Sequence, residues 1–357
     1  MLFGTKAFML LLLQSLYMIP SDGRIWNQFI AKHLQHLIQQ HLPKSALLPS
    51  CQAYEICTSL RNCRDLYNVY KSSKDARNEI LKDRKCSRKR HFFCCPRPRN
   101  FLPTENCGRS YNRTQGREAG LNEFPWMAML LYGKTGQMEH HCGGSLINNW
   151  YVLTASHCVR DPGNNGIGAP KRVRLGAHNT NPKKTVPFAL PYVEIDVVRV
   201  IPHEKYFHGN VFRNDIALLQ LKVPVRFSAA IKPICLPTLQ AVPSGRIFEA
   251  AGWGNQSSVL RRSFLKENNP NGYQCKRLAC DSKSQICAGG DQDGNDTCEG
   301  DSGGPLMDTT SRRKENVIFL AGIISYGYSQ RGQKNKPSIY TKTEHYLEWI
   351  SSKLAKN

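Results

Sequence analysis

The chain has 357 residues, with 49 Lys or Arg against 27 Asp or Glu, a net charge of +22 at pH 7. That length leaves room for more than one domain and for a core of ordinary size. Fourteen cysteines fit an oxidising medium, where disulfides persist, and argue against a reducing cytosol. The positive excess suits an anionic cell surface or polysaccharide, or simply a solvated basic face. No nucleic-acid motif accompanies it, which sets nucleic-acid binding aside.

Residues 1–23 read as a secretory signal: Lys6, an apolar run from Ala7 to Leu13, then small and polar residues. Gln14 interrupts the run too early for a membrane span, and no other segment is long and apolar enough to cross a bilayer. The expected protein is secreted. In residues 24–50, Trp26, Phe29, Ile30, Leu34, Leu37 and Ile38 are spaced for one face of a helix, which Pro43 stops.

Residues 51–95 carry Cys51, Cys57, Cys63, Cys86 and the adjacent Cys94 and Cys95. So small a unit must be stapled rather than held by a core. Its cysteines allow many pairings, and spacing does not choose among them. A zinc site is the competing reading, against which the adjacent pair and the extracellular context both speak. Residues 96–113 form a Pro-rich basic linker with Cys107 standing alone in it, and Asn112-Arg113-Thr114 is a glycosylation sequon. From residue 114 onward, short apolar stretches such as Tyr151–Thr154 and Ile318–Ile324 lie between turns, predicting an all-β sandwich or barrel pair. The segment from Glu344 to Lys356 reads as a closing amphipathic helix through Tyr346, Leu347, Trp349, Ile350 and Leu354.

The chemistry concentrates in Asp296-Thr297-Cys298-Glu299-Gly300-Asp301-Ser302-Gly303-Gly304-Pro305. A serine hydroxyl is a poor nucleophile at neutral pH and needs a base and a site for the oxyanion. The glycines let the backbone turn tightly enough for the N–H groups of Gly300 and Ser302 to face a developing negative charge. A base and its orienter are at hand in His157 (Thr154-Ala155-Ser156-His157-Cys158) and Asp215 (Asn214-Asp215-Ile216-Ala217-Leu218-Leu219). The order His, Asp, Ser is one of the known chain orders for such a triad.

With Cys142-Gly143-Gly144-Ser145-Leu146, Ala251-Gly252-Trp253-Gly254 and Ser325-Tyr326-Gly327, these motifs make the chain from about residue 107 onward resemble a trypsin-like serine protease of the chymotrypsin family. The cysteine module resembles the clip domain of arthropod proteases. The resemblance implies two six-stranded β-barrels with His157, Asp215 and Ser302 in the cleft between them, behind a clip domain paired Cys51–Cys94, Cys57–Cys86 and Cys63–Cys95. It further implies a tether from Cys107 to Cys235 and bonds Cys142–Cys158 and Cys275–Cys287, with Cys280 and Cys298 left over. Asp296 matches the base of the pocket that takes an Arg or Lys side chain, lined by Ser325, Gly327 and Ser338. Cleavage between Arg113 and Thr114 would release an N-terminus whose amine pairs with Asp301.

Three departures stand out. The segment after Arg113 is polar and one residue short of the family's Ile-Val-Gly-Gly. Arg331 stands where the partner of Cys298 belongs. Ser338 replaces a pocket-wall Gly. Ala177 replaces a Glu that helps bind calcium in relatives, so no metal and no cofactor are expected. The implied partners are a protein substrate such as another zymogen, an upstream activating protease, a serpin inhibitor and an anionic surface. The departures leave open a second reading, a weakly active pseudoprotease that binds or regulates.

Overall fold

The structure, a computed structural model, describes residues 51–355 apart from 53–54, 73–83, 88–90, 105, 111–112, 135–136, 161–167, 182–191, 238–244, 255–256, 291–296, 298–299, 310–316 and 329–333. The signal segment, the helix expected in 24–50, the sequon's Asn112, and Asp296, Cys298 and Arg331 lie outside the described residues.

The first unit is a two-stranded ribbon. Strand β1 (Glu55–Ser59) pairs antiparallel with β2 (Phe92–Pro96), with Cys57 opposite Cys94. Bonds Cys51–Cys94, Cys57–Cys86 and Cys63–Cys95 staple the ribbon to its connection. That connection contains a helix, α1 (Arg64–Ser72), which the sequence did not suggest. It spans little more than two turns, too few for a periodic signal to stand out. Leu60, Cys63 and Leu66 are buried in the same apolar cluster as Trp150 and Tyr151, so the stapled unit and the larger domain share one core.

Polar contacts fix this junction. Glu55 and Arg84 are both buried and their side chains pair at 2.6 Å, while Arg84 Nη2 donates to the carbonyl of Pro224 at 3.0 Å. Gln52 Nε2 donates to the carbonyl of Phe227 at 2.5 Å. In the linker, the Arg99 guanidinium lies 4.5 Å from the centre of the Trp150 ring, and Asn148 Nδ2 donates to the Arg99 carbonyl.

Strands β3 (Met127–Lys134), β4 (Gln137–Leu146), β5 (Tyr151–Thr154), β6 (Arg172–Leu175), β7 (Val193–Pro202) and β10 (Ala217–Leu221) close into a barrel, in the order β10-β5-β4-β3-β6-β7. The short ribbon β8 (Phe207–His208) and β9 (Phe212–Arg213) rises from it before β10. The second sheet comprises β11 (Ile247–Gly252), β12 (Arg261–Lys266), β13 (Gln285–Ala288), β14 (Pro305–Asp308), β15 (Phe319–Gly327) and β16 (Ser338–Lys342), in the order β12-β11-β14-β15-β16-β13. No ladder joins its end strands among the described residues; they meet through the isolated bridge Glu267↔Ala288, with Gly289 N–H donating to the Lys266 carbonyl and Asn268 N–H to that of Cys287. Six strands per unit is the number the resemblance implies, but ladder pairing closes only the first barrel.

Two short helices, α2 (His157–Arg160) and α3 (Tyr273–Arg277), sit between strands. The chain ends in α4 (Leu347–Ala355), preceded by a tighter turn, Thr343–Tyr346, so the expected closing helix begins later than its apolar pattern does. Ile350 and Leu354 are its buried residues.

Candidate active site

His157 opens α2, directly after β5, where the helix is too short to move it independently of the barrel. Tyr132 Oη donates to the Cys158 carbonyl, and the Cys142–Cys158 disulfide ties α2 to β4. Asp215 sits two residues before β10, which pairs with β5, so the two residues meet through sheet register. The backbone N–H of His157 donates to Asp215 Oδ1 at 2.9 Å, and His157 Nδ1 lies 2.7 Å from Asp215 Oδ2. A carboxylate can only accept, so Nδ1 carries the proton. That leaves Nε2 of the neutral ring as a lone-pair acceptor.

Asp215 is almost fully buried and well supplied with donors. Ser325 Oγ donates to Oδ2 at 2.5 Å, and Thr341 Oγ1 donates to the Asp215 carbonyl. Burial pushes the carboxyl pKa up. The electrostatic attraction of the His157 imidazole and the hydrogen bonds from His157 and Ser325 outweigh that, leaving it below the ordinary carboxylate range. Asp215 therefore holds its charge in a nearly dry site. The Phe212 ring, 5.4 Å from the His157 ring between centres, shields one side of the imidazole, and Tyr326 stands 5.3 Å from Phe212 on the same shelf.

Ser302 reaches this corner because its loop can be packed tightly. The Ser302 carbonyl accepts from Gly143 N–H at 2.7 Å, Gly303 N–H donates to the Ile324 carbonyl and Gly304 N–H to that of Asp301. Gly303 has φ +77, and a Cβ there would lie 2.2 Å from Thr154 Oγ1, 2.6 Å from the Gly143 carbonyl and 3.1 Å from Cys158 Sγ. Only glycine permits both that backbone angle and that approach. His157 Nε2 is 3.6 Å from the same Cys158 sulfur, so the serine loop and the free edge of the imidazole meet over one disulfide. Gly300, at φ +88, begins the turn.

Asp301 Oδ1 accepts from Gly254 N–H at 2.8 Å, and a Cβ at Gly252 would lie 1.9 Å from it, which explains a glycine there. Thr114 is held elsewhere: its hydroxyl donates to the Glu118 carbonyl and accepts from Arg262 Nη2. Next to it, Arg113 Nη2 lies 2.9 and 3.1 Å from the two oxygens of Glu249. Arg262 in turn binds Glu123 at 2.6 and 3.0 Å.

The sequence reading missed this cluster. Charged Glu249 inside the otherwise apolar strand β11 was the available signal, since a buried charge must find a partner. Where β15 ends and β16 begins, Gly327 pairs with Ser338, and a Cβ on Gly327 would lie 2.5 Å from Ser338 Oγ. The buried Ser338 side chain therefore lies directly against Gly327. Ser325, read from sequence as part of the substrate pocket, turns its hydroxyl toward Asp215.

The remaining cysteines also find places. Cys107 bonds Cys235 and Cys275 bonds Cys287, while Cys280 carries a half-buried free thiol whose pKa burial and nearby Asp281 push up to about 11. Among the described residues, no helix is long and apolar enough to cross a membrane.

Comparison with known proteins agrees with this architecture. The profile of the Trypsin family matches residues 113–350. The chain is similar to Melanization protease 1 of Drosophila melanogaster, 39% identical over 272 residues, spanning 69% of this chain and 67% of the relative. It is 31% identical over 333 residues to the CLIP domain-containing serine protease B4 of Anopheles gambiae, spanning 84% of this chain and 89% of that one. Among solved structures, the Grass clip serine protease of the Toll pathway of Drosophila superposes with a TM-score of 0.61 at 29% identity, covering 85% of this chain and 95% of that chain. With a stapled ribbon on a two-sheet protease body and these relatives, the chain belongs to the trypsin family of serine proteases, in its clip-domain branch.

Proposed function

We propose that this protein is a secreted endopeptidase made as a zymogen, and that it cuts after Arg or Lys. The observation that carries the reading is the buried Asp215 fixing the tautomer of His157 beside the loop of Ser302. In this mechanism His157 Nε2 takes the proton from Ser302 Oγ as the oxygen attacks the substrate carbonyl carbon. Asp215 stabilises the imidazolium, which then gives the proton to the leaving amine. The N–H groups of Gly300 and Ser302 receive the oxyanion, each donor being worth about 3 kcal/mol in the transition state. Asp296 would bind the cationic side chain, since a buried carboxylate left unpaired is costly. The substrate backbone would add along Ser325–Gly327 of β15.

Cleavage after Arg113 would begin activation, with Asp301 taking the new amine. The names of the relatives, one a melanization protease and one of the Toll pathway, support an extracellular cascade. The substrate would then be another zymogen and the activator an upstream protease. A serpin would be the natural inhibitor, and an anionic surface would attract the basic chain.

A second reading has an observation of its own. Thr114 is polar and anchored at Arg262, so its amine is poorly placed to bury itself at Asp301. In that case the cut chain stays weakly active and works as a regulator. Labelling with a serine-directed fluorophosphonate before and after limited trypsin treatment separates the two. Labelling of Ser302 that rises after the cut after Arg113 supports the protease; a cut without a rise supports the regulator.

A further inference from the structure

We propose that Glu249, backed by Glu123, is a guanidinium site whose occupant is the chain's own Arg113, and that this occupancy restrains cleavage of the Arg113–Thr114 bond. The inference rests on the reading of that bond as the activation site and adds how the site is controlled. Residues 113–118 are exposed, so the backbone is within reach of a protease. The side chain is the obstacle. A protease that cuts after Arg must draw the guanidinium into its own acidic pocket, and here it is already held by two oxygens of Glu249 at 2.9 and 3.1 Å. Arg113 Nε also stands 3.9 Å from Glu123 Oε1, and both carboxylate side chains are 0% exposed.

The cluster resists the loss of its occupant. The other cation, Arg262, is committed to Glu123 at 2.6 and 3.0 Å and touches Glu249 only at 3.4 Å. With Arg113 withdrawn, Glu249 would be a buried carboxylate with half a partner, which is the costly state for an ion pair. The far side of the bond is tied to the same group of residues. Thr114 Oγ1 accepts from Arg262 Nη2 and donates to the Glu118 carbonyl. Arg and Thr are thus both anchored, one on each side of the peptide bond to be cut. An activator that prises Arg113 free, by docking over Glu249 or by paying the cost through its own contacts, would be selected over a protease that merely collides.

The test uses the full chain with Ser302→Ala to prevent self-cutting, treated briefly with trypsin and read by mass spectrometry. Glu249→Gln removes the charge but keeps the shape. Cutting after Arg113, relative to all other tryptic cuts, should rise on the order of tenfold, the scale of a lost charge-assisted pair that is partly exposed. An unchanged ratio overturns the proposal.

If Glu249→Gln loosens the whole fold, seen as faster cutting everywhere, Arg113→Lys decides instead. An ammonium is a single nitrogen and cannot face Glu249 and Glu123 at once, as Nη2 and Nε of Arg113 do. The protection of the bond, taken as cutting of a free peptide of the same sequence over cutting of the folded chain, should fall several-fold in the Lys variant. Equal protection for Arg and Lys would mean the backbone alone is guarded and would sink the latch. Failure of the activation reading looks different. There, Glu249→Gln speeds the cut, yet fluorophosphonate labelling of chains that retain Ser302 does not rise.

Discussion

The residue whose environment sets the most is Asp215. Its lone pairs are taken by two groups of His157 and by Ser325 Oγ, and its folded pKa lies below the ordinary range although burial alone would raise it. A carboxyl depressed in the folded state stabilises the fold above its unfolded pKa, and that stability is lost as pH falls through the folded value. Ser325→Ala removes one donor and should move the midpoint of acid unfolding to higher pH, followed by tryptophan fluorescence. The same change should lower kcat/KM about tenfold by leaving a buried acceptor short of a donor. Asp215→Asn should cost roughly four orders of magnitude in kcat, because the amide selects the wrong imidazole tautomer. If the Asn variant keeps near-normal turnover, the proposed roles are wrong.

Ser338 is the other residue with a directional expectation. Its hydroxymethyl group lies against Gly327, at the wall the proposed pocket shares. Filling a packed site typically costs about 1–3 kcal/mol. Ser338→Gly should therefore raise kcat/KM on Arg and Lys peptide amides by roughly 5- to 150-fold at about 1.4 kcal/mol per tenfold. An unchanged or lower value would remove the narrowed pocket as an account of weak turnover.

At the scale of elements, the ribbon of β1 and β2 is joined to the barrel through Glu55 and Arg84 as much as through Leu60 and Leu66. Breaking a buried pair leaves an uncompensated charge and costs about 3–5 kcal/mol. Glu55→Ala should therefore loosen the ribbon, read as faster hydrogen exchange in β1 and β2, with barrel strand β5 much less affected. Equal protection before and after the substitution would show that the disulfides and Leu66 suffice. The legible part of these elements was the cysteine framework and the alternation of short strands with turns. Helix α1 was not legible, since two turns inside a stapled loop carry too little periodicity. Ladder closure of only one sheet was not legible either, since it depends on how β12 and β13 meet across the chain.

At the scale of the whole molecule, the Cys107–Cys235 bond joins the linker, across 128 residues of sequence, to the segment between β10 and β11, where Cys235 bridges Phe319 of β15. Cutting after Arg113 should leave the two pieces joined until a reductant is added, as a single band on a non-reducing gel that splits on reduction. Two bands without reductant would show that this bond does not form in solution. Together with the buried Glu55–Arg84 contact, the tether predicts that the clip unit stays on the protease body after processing and acts beside the cleft.

The chemical identities were legible from residue types alone: the nucleophile candidate between glycines, the His157 and Asp215 contexts, the cysteine module and the all-β pattern of the body. These are local properties, carried by residue types at fixed spacing, and they survive without coordinates. Which charges share a dry environment depends instead on how the strands pair. Arg113 and Glu249 stand 136 positions apart, and Glu123 and Arg262 stand 139 apart, and nothing in that spacing brings them together. They meet because the β12–β11 pairing sets Arg262 opposite Ala251 and so diagonal to Glu249 on the same face, while the bridge of Glu118 to Arg261 lays the Arg113 segment over both. The position of the Ser325 hydroxyl was decided in the same way. Side-chain direction on a strand follows sheet register, and register is set by long-range pairing that no single segment contains.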